Sequence, residues 1–169
     1  MLQSQIQANA QYTDGPGDPT GETPPALMWG LQEMLLSSFN TTIHVFRGWG
    51  RDSGDASFHD LRAEGAFALS ANFSGGETCF VRVVSVARDA VARIAARTLR
   101  TPLAVSPAGV PFTVDPASGV VSITLSRGQP ALLYPADAAP RSFVVAPVAQ
   151  PSGSSNHWGL RLPQAARAA

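Results

Sequence analysis

The stretch from Phe67 to Val86, which reads FALSANFSGGETCFVRVVSV, decides the fold. Apolar residues alternate with other residues on both sides of the pair Gly75-Gly76, as in two antiparallel strands that a tight turn connects. Because side chains at alternate positions of a strand point to the same face, one face of this segment must be covered by a second layer. The stretch therefore predicts a β-hairpin with one buried face.

Short strands are expected on both sides of this hairpin, at intervals of about ten residues, which is typical of an antiparallel β-sandwich. The segment Asp89–Leu99 fits either a further strand or a short helix. The other predicted strands are Ile43–Phe46, Pro111–Val114, Val120–Leu125, Ala131–Tyr134 and Ser142–Val145. We expect the sandwich to span residues 41–148 and its core to contain Phe67, Leu69, Val81, Val83, Val121, Ile123 and Leu125.

One amphipathic helix is predicted before the strands, over residues 23–40. Thr23 can cap it, Pro24 suits its first turn, and Asn40 can end it in a left-handed conformation. Its apolar stripe, Leu27, Leu31, Met34, Leu35 and Phe39, needs a covering surface, so we expect it to pack on the sandwich or to mediate self-association. Residues 1–22 are predicted to be a loop or frayed leader and residues 149–169 a disordered tail.

Composition excludes several classes of function. The twelve basic residues are all arginine, which we attribute to codon bias, and twelve acidic residues bring the formal net charge to zero. Nucleic acid is therefore not expected as the main partner. No apolar run is long enough to cross a membrane, so no membrane partner is expected. The single cysteine, Cys79, cannot form an intramolecular disulfide.

The sequence carries no motif for a cofactor and no histidine cluster at metal-ligand spacing, so neither a cofactor nor a metal is predicted. Met1–Ala10 contains neither the positively charged segment nor the apolar segment that a signal peptide requires. Localisation therefore stays open.

Carboxylates are the remaining candidates for chemistry, because glycosidases use two of them about 5–9.5 Å apart. Spacing alone selects no pair. The candidates are Glu22, Glu33, Asp52, Asp55, Asp60, Glu64 and Glu77.

Three segments, in order, carry a resemblance to a known family: Glu33–Ser38 (EMLLSS), Ile43–Phe46 (IHVF) and Leu61–Phe67 (LRAEGAF). Together they resemble the C-terminal part of glycoside hydrolase family 95, the α-L-fucosidase-like enzymes. In that family a similar run closes the last helix of an (α/α)6 barrel, and a C-terminal β-sandwich follows. The chain departs from the family pattern at Arg47, where a proline is usual, and in the glycine-rich stretch around Trp49.

The resemblance implies that residues 23–40 are the last barrel helix. It also implies that carbohydrate is the partner of the parent enzyme. That enzyme belongs to a class that includes secreted proteins. The resemblance implies a general acid upstream of this sequence. It also places Glu22 near the position of the base carboxylate, as a remnant of the catalytic pair. We therefore expect an accessory region that is inactive alone. A loop glutamate is the alternative interpretation of Glu22.

Two other functions stay open. An independent β-sandwich could bind carbohydrate by stacking a sugar ring on Trp49 or Trp158, although a tryptophan in a glycine-rich loop can equally cover the edge of a core. A protein-interaction module without sugar chemistry is the third hypothesis.

Overall fold

Twelve short strands and one α-helix form the part of the chain that the computed structural model describes, residues 12–14, 18–20, 23–140 and 142–145. The fold is mainly β, with one helix before the main strands, as the sequence predicts. Helix α1 spans Thr23–Leu35. The strands are β1 (Tyr12–Asp14), β2 (Asp18–Thr20), β3 (Leu36–Phe39), β4 (Thr42–Val45), β5 (Ala56–Ala63), β6 (Phe67–Ser74), β7 (Glu77–Ser85), β8 (Ala90–Ala95), β9 (Leu103–Ser106), β10 (Phe112–Val114), β11 (Val121–Leu125) and β12 (Pro130–Pro135).

Two compact units can be distinguished, and the boundary falls inside α1. Residues 32–148 belong to one unit, and the described residues up to Leu31 belong to the other. The larger unit contains two five-stranded sheets, in the orders β10-β11-β8-β4-β3 and β5-β6-β7-β12-β9. Most neighbouring strands are antiparallel, but β4 and β8 run parallel, with Ile43 opposite Ile94. The two sheets form a sandwich-like arrangement.

The core of the larger unit is one cluster of alternate side chains from both sheets. Leu69, Val83 and Leu133 from one sheet, and Ile94 and Ile123 from the other, are completely buried. This is the pattern that strand alternation requires when two sheets cover each other. The core prediction is confirmed, because each of its members is buried: Phe67, Leu69, Val81, Val83, Val121, Ile123 and Leu125.

The predicted hairpin is β6 and β7. Gly75 and Gly76 form its turn with φ angles of 62° and 83°, values that glycine adopts without strain. The Asp55 carboxylate accepts hydrogen bonds from the Gly75 N–H, at 3.1 Å, and from the Ser74 hydroxyl, at 2.9 Å, and so holds the turn. The ambiguous segment from Asp89 also forms a strand, β8.

The predicted helix is too long at its C-terminal end. It ends at Leu35, and the next four residues form β3, which pairs with β4 in a hairpin. Asn40 does adopt a left-handed conformation, but Asn40 and Thr41 both have positive φ (50° and 60°) and form the two-residue hairpin turn. Such turns match the twist of paired strands. The spacing of Leu35 and Phe39 is compatible with a helix, but pairing with β4 determines the structure.

Two further expectations differ from the structure. Ser142–Val145 forms no strand: the Phe143 ring packs against Phe80 and Tyr134, at centroid distances of 5.6 and 5.3 Å, so this segment contacts the sheet through a side chain. Within the predicted leader, β1 and β2 pair antiparallel, with Tyr12 opposite Thr20. The predicted tail, 149–169, lies outside the described residues.

Candidate functional site

A cleft of about 740 Å³ lies where β4 and β8 end, and basic side chains dominate its polar lining. Its basic residues are His44, Arg47, Arg97 and Arg100, and we call it the arginine cleft. Within the part of the chain that the structure describes, no aspartate or glutamate lines it. The remaining lining residues are Ala95, Ala96, Leu99, Thr101, Leu103, Ser118, Gly119, Val120 and Val121.

Parallel pairing of β4 and β8 creates this cleft. His44 lies opposite Ala95, so both strands end at the same edge of the sheet. The segment that carries Arg47 therefore leaves the sheet beside the segment that carries Arg97. Because β11 runs antiparallel to β8, with Val121 opposite Ile94, the turn before β11 reaches the same edge. Three segments that are distant in sequence thus meet there.

His44 forms a stack at the cleft. Its imidazole ring lies parallel to the Phe39 ring, with centroids 4.2 Å apart and an interplanar angle of 7°. The Arg47 guanidinium carbon lies 4.5 Å from the centroid of the same Phe39 ring, a cation–π contact. Burial lowers the pKa of His44, and the positive charges of Arg47 and Arg97 lower it further. The neutral imidazole is therefore favoured.

Two carboxylates fix Arg100. Its Nη1 donates to Asp137 at 3.1 Å and its Nε donates to Glu77 at 2.8 Å. These bonds, first the one to Asp137 and then the one to Glu77, raise the pKa of Arg100 above its usual value. The two acidic groups offset the Arg100 charge but hold its planar group in one orientation.

Arg47 and Arg97 lack such acidic partners. In the described part of the chain, neither forms an ion pair, and both are exposed. Ser118 adds a hydroxyl at the rim, which donates to Asp115 at 2.6 Å. This bond and the Ala117 N–H lower the pKa of Asp115, so the turn that carries Ser118 is held by a carboxylate. The positive charges of Arg47 and Arg97 are therefore not offset by an ion pair with any described acidic residue.

Two site residues were predicted from the sequence, Glu22 and Trp49. Glu22 lies outside the described residues. Trp49 is half-buried and packs against the core, and its indole N–H donates to the Gly54 carbonyl at 2.9 Å. It thus covers a core edge and holds the glycine-rich loop, as one of the two interpretations of its sequence context expects. Sugar stacking on Trp49 stays a prediction.

Three of the candidate carboxylates, Asp55, Asp60 and Glu77, have structural contacts. Asp55 holds the β6–β7 turn, and Glu77 holds Arg100. Asp60 accepts from Arg82 at 3.1 Å and from the Ser70 hydroxyl at 3.2 Å. In the described ranges, no group of three or more His, Cys, Asp or Glu residues is arranged to hold a metal ion.

Sequence reasoning missed the arginine cleft. The arginines were ascribed to codon bias. The available signal was the position of Arg47 just after the predicted strand Ile43–Phe46, whereas Arg97 lies inside the segment Asp89–Leu99, which fits either a strand or a helix. That signal is weak, because only the parallel pairing brings the two strand ends together.

Comparison with known proteins finds no family model and no curated protein that matches this chain. No helix in the described ranges is long and apolar enough to cross a membrane.

Proposed function

We propose that this chain is the accessory β-sandwich region of a glycoside hydrolase that resembles α-L-fucosidases, with α1 as the element that contacts the catalytic barrel. The barrel itself is not contained in these residues, so the chain alone has no hydrolytic activity. The observation that carries the proposal is the exposure of large apolar side chains on a helix that leads directly into the sandwich.

That exposure is extensive. Leu27 is 46% exposed, Leu31 50% and Trp29 68%, and Met28 and Met34 are exposed as well. Full burial of one leucine or methionine side chain stabilises a protein by about 1.5–3 kcal/mol relative to exposure. Several such residues on one helix represent a gain comparable to the whole stability of a small domain, about 5–15 kcal/mol. A barrel that covers α1 would provide this gain.

The end of α1 is tied to the sandwich by the backbone. The Phe46 N–H donates to the Leu35 carbonyl at 2.8 Å, and the Gly48 N–H donates to the Met34 carbonyl at 3.2 Å. A side chain at Gly48 would lie within 2.9 Å of Met34 Cγ, so the loop approaches Met34 closely. These bonds satisfy carbonyls that a helix end leaves without intrahelical partners. A barrel bound to α1 would thereby be coupled to β4.

Two of the segments that carry the family resemblance also contact each other. The Glu64 N–H donates to the Ser38 hydroxyl at 3.2 Å, which joins the LRAEGAF segment to the EMLLSS segment. Gly65 has a φ of 83°, and a Cβ there would lie 2.7 Å from the Phe67 ring. A side chain at position 65 would therefore clash with the Phe67 ring of the same motif. This supports a common packing role for the two motifs.

A second candidate function has its own observation in favour. An independent carbohydrate-binding sandwich would need a cleft of ligand size, and the arginine cleft, at about 740 Å³, falls in the usual range of such sites. This candidate predicts binding without a barrel, and it leaves the apolar residues of α1 without a role.

A chimera tests the proposal. Residues 23–169 of this chain would replace the last barrel helix and the sandwich of a family 95 α-L-fucosidase, and release of fucose from an aryl fucoside would be measured. We expect a soluble, active chimera, because α1 supplies the apolar face that closes the barrel. Leu27→Ser with Leu31→Ser should abolish soluble activity. Val91→Ser, which also changes an exposed apolar residue but on β8, should not.

An inactive or insoluble chimera, alongside an active parent fucosidase, would contradict the proposal. So would equal activity of the chimera and its Leu27→Ser/Leu31→Ser variant.

A further inference from the structure

We propose that the arginine cleft binds a saccharide that carries a carboxylate group, with Arg47 and Arg97 as the residues that recognise the carboxylate. The inference deepens the proposed function, since its choice of a carbohydrate ligand rests on it. The binding site itself is contained in residues 44–121 and does not involve α1.

Charge is the first argument. Three guanidinium groups and an imidazole line the cleft, and none of the described residues that line it carries a carboxylate. Arg100 is offset by Glu77 and Asp137, whereas no ion pair offsets Arg47 or Arg97 within the described residues. The lowered pKa of His44 is a consequence of the same positive surroundings, after burial. A bound anion would relieve this repulsion.

Geometry favours a planar anion. A guanidinium presents its N–H groups as a rigid fork that can donate two parallel hydrogen bonds to a carboxylate. Arg47 rests on the Phe39 ring, and this contact limits its orientations. Arg100 also lines the cleft, and its bonds to Glu77 and Asp137 fix its orientation.

The rest of the lining suits a sugar ring. Leu103, which is half-buried, provides apolar surface for its C–H groups, and the exposed Thr101 provides a hydroxyl for its polar edge. A cleft of about 740 Å³ is in the range of sites for small ligands. An extended nucleic acid is a poor fit, because a chain with a formal net charge of zero has no excess of cations along its surface.

A second cleft, of about 450 Å³ near the β3–β4 turn, does not share this chemistry. Its lining contains Glu64 and Asp89 as well as Arg88 and Arg93, so its positive charges lie among acidic groups. Asp89 also accepts from the Arg127 N–H at 2.7 Å and holds a loop. The arginine cleft is therefore the better anion site.

Calorimetric titration of the full chain tests the inference. The probes are digalacturonate, its neutral counterpart galactobiose, and sulfate. We expect digalacturonate to bind at least about tenfold more tightly than galactobiose. This is roughly the gain in affinity that one hydrogen bond to a charged group provides. Arg97→Gln should weaken digalacturonate binding about tenfold. Arg62→Gln removes an exposed arginine on β5, outside the cleft, and should not weaken it. Bound digalacturonate should also raise the pKa of His44, which NMR reports directly.

Three results would overturn the inference: no binding of digalacturonate to the parent chain, equal binding of galactobiose, or equal losses in Arg97→Gln and Arg62→Gln. Sulfate that binds as tightly as digalacturonate would show a general anion site and would also overturn it. Spectra of each variant verify folding. Because Leu27→Ser/Leu31→Ser leaves the cleft unchanged, that variant should bind digalacturonate normally, so failure of the barrel proposal and failure of this one can be told apart.

Discussion

The imidazole of His44 stacks on the ring of Phe39, with 4.2 Å between ring centroids. The contact exists because Phe39 lies on β3 and His44 on β4, the two strands of one hairpin. Had residues 36–39 continued the helix, this pairing could not form. The stack thus links β3, the strand that follows α1, to the arginine cleft.

The first prediction concerns the dependence of stability on pH. Since burial, Arg47 and Arg97 lower the pKa of His44, the folded chain binds fewer protons at this residue than the unfolded chain does. Its contribution to stability is therefore fully present above the unfolded pKa, about 6.5, and is lost as pH falls through the lower folded pKa.

Urea unfolding across this pH range measures the effect. His44→Gln removes the titrating group and should flatten the fall of the unfolding free energy between neutral and mildly acidic pH. An identical fall in the parent and in His44→Gln would show that His44 does not carry it.

The second prediction concerns Gly65. Gly65→Ala combines a positive φ with a clash against the Phe67 ring, and we expect a loss of about 1–3 kcal/mol in the free energy of unfolding. Gly128→Ala is the control, because Gly128 has a similar φ, 77°, but no atom within 4 Å of the added Cβ. Denaturant unfolding of both variants isolates the clash. Equal losses would mean that the Phe67 contact adds nothing.

Much of the sandwich could be predicted from sequence, because alternation and glycine turns are local signals. The hairpin Phe67–Ser85 shows both, and its apolar face is buried as expected. The helix end could not be predicted, since Leu35 and Phe39 also fit a helical period and a left-handed Asn40 fits a helix cap as well as a hairpin turn.

The cleft could not be predicted for a different reason. It depends on the parallel pairing of β4 with β8, and their segments are about fifty residues apart in sequence, a non-local contact that local patterns do not encode. Glu22, which was predicted from the family resemblance, lies outside the described residues and stays a prediction.

The third prediction concerns activity. The purified chain should release no fucose or galactose from aryl glycosides, because one carboxylate without its acid partner cannot carry out the reaction. Glu22→Gln should leave that result unchanged. Turnover by the parent chain that Glu22→Gln removes would show that Glu22 catalyses hydrolysis in this chain alone.

The fourth prediction concerns self-association of the isolated chain. The exposed apolar residues of α1 should cause concentration-dependent association, which light scattering detects. Leu27→Ser with Leu31→Ser should reduce it, and Val91→Ser should not. Association of equal strength in the double variant would place the contact on another surface.

The central claim is that α1 binds a catalytic barrel, and amide hydrogen exchange of residues 27–34 tests it most directly. Exchange is compared between the isolated chain, at a concentration where it is monomeric, and the active fucosidase chimera. The account predicts that these amides exchange at least about tenfold more slowly in the chimera, because a covered helix opens less often, while the β6 and β7 amides change little. Equal exchange of residues 27–34 in both proteins would contradict it.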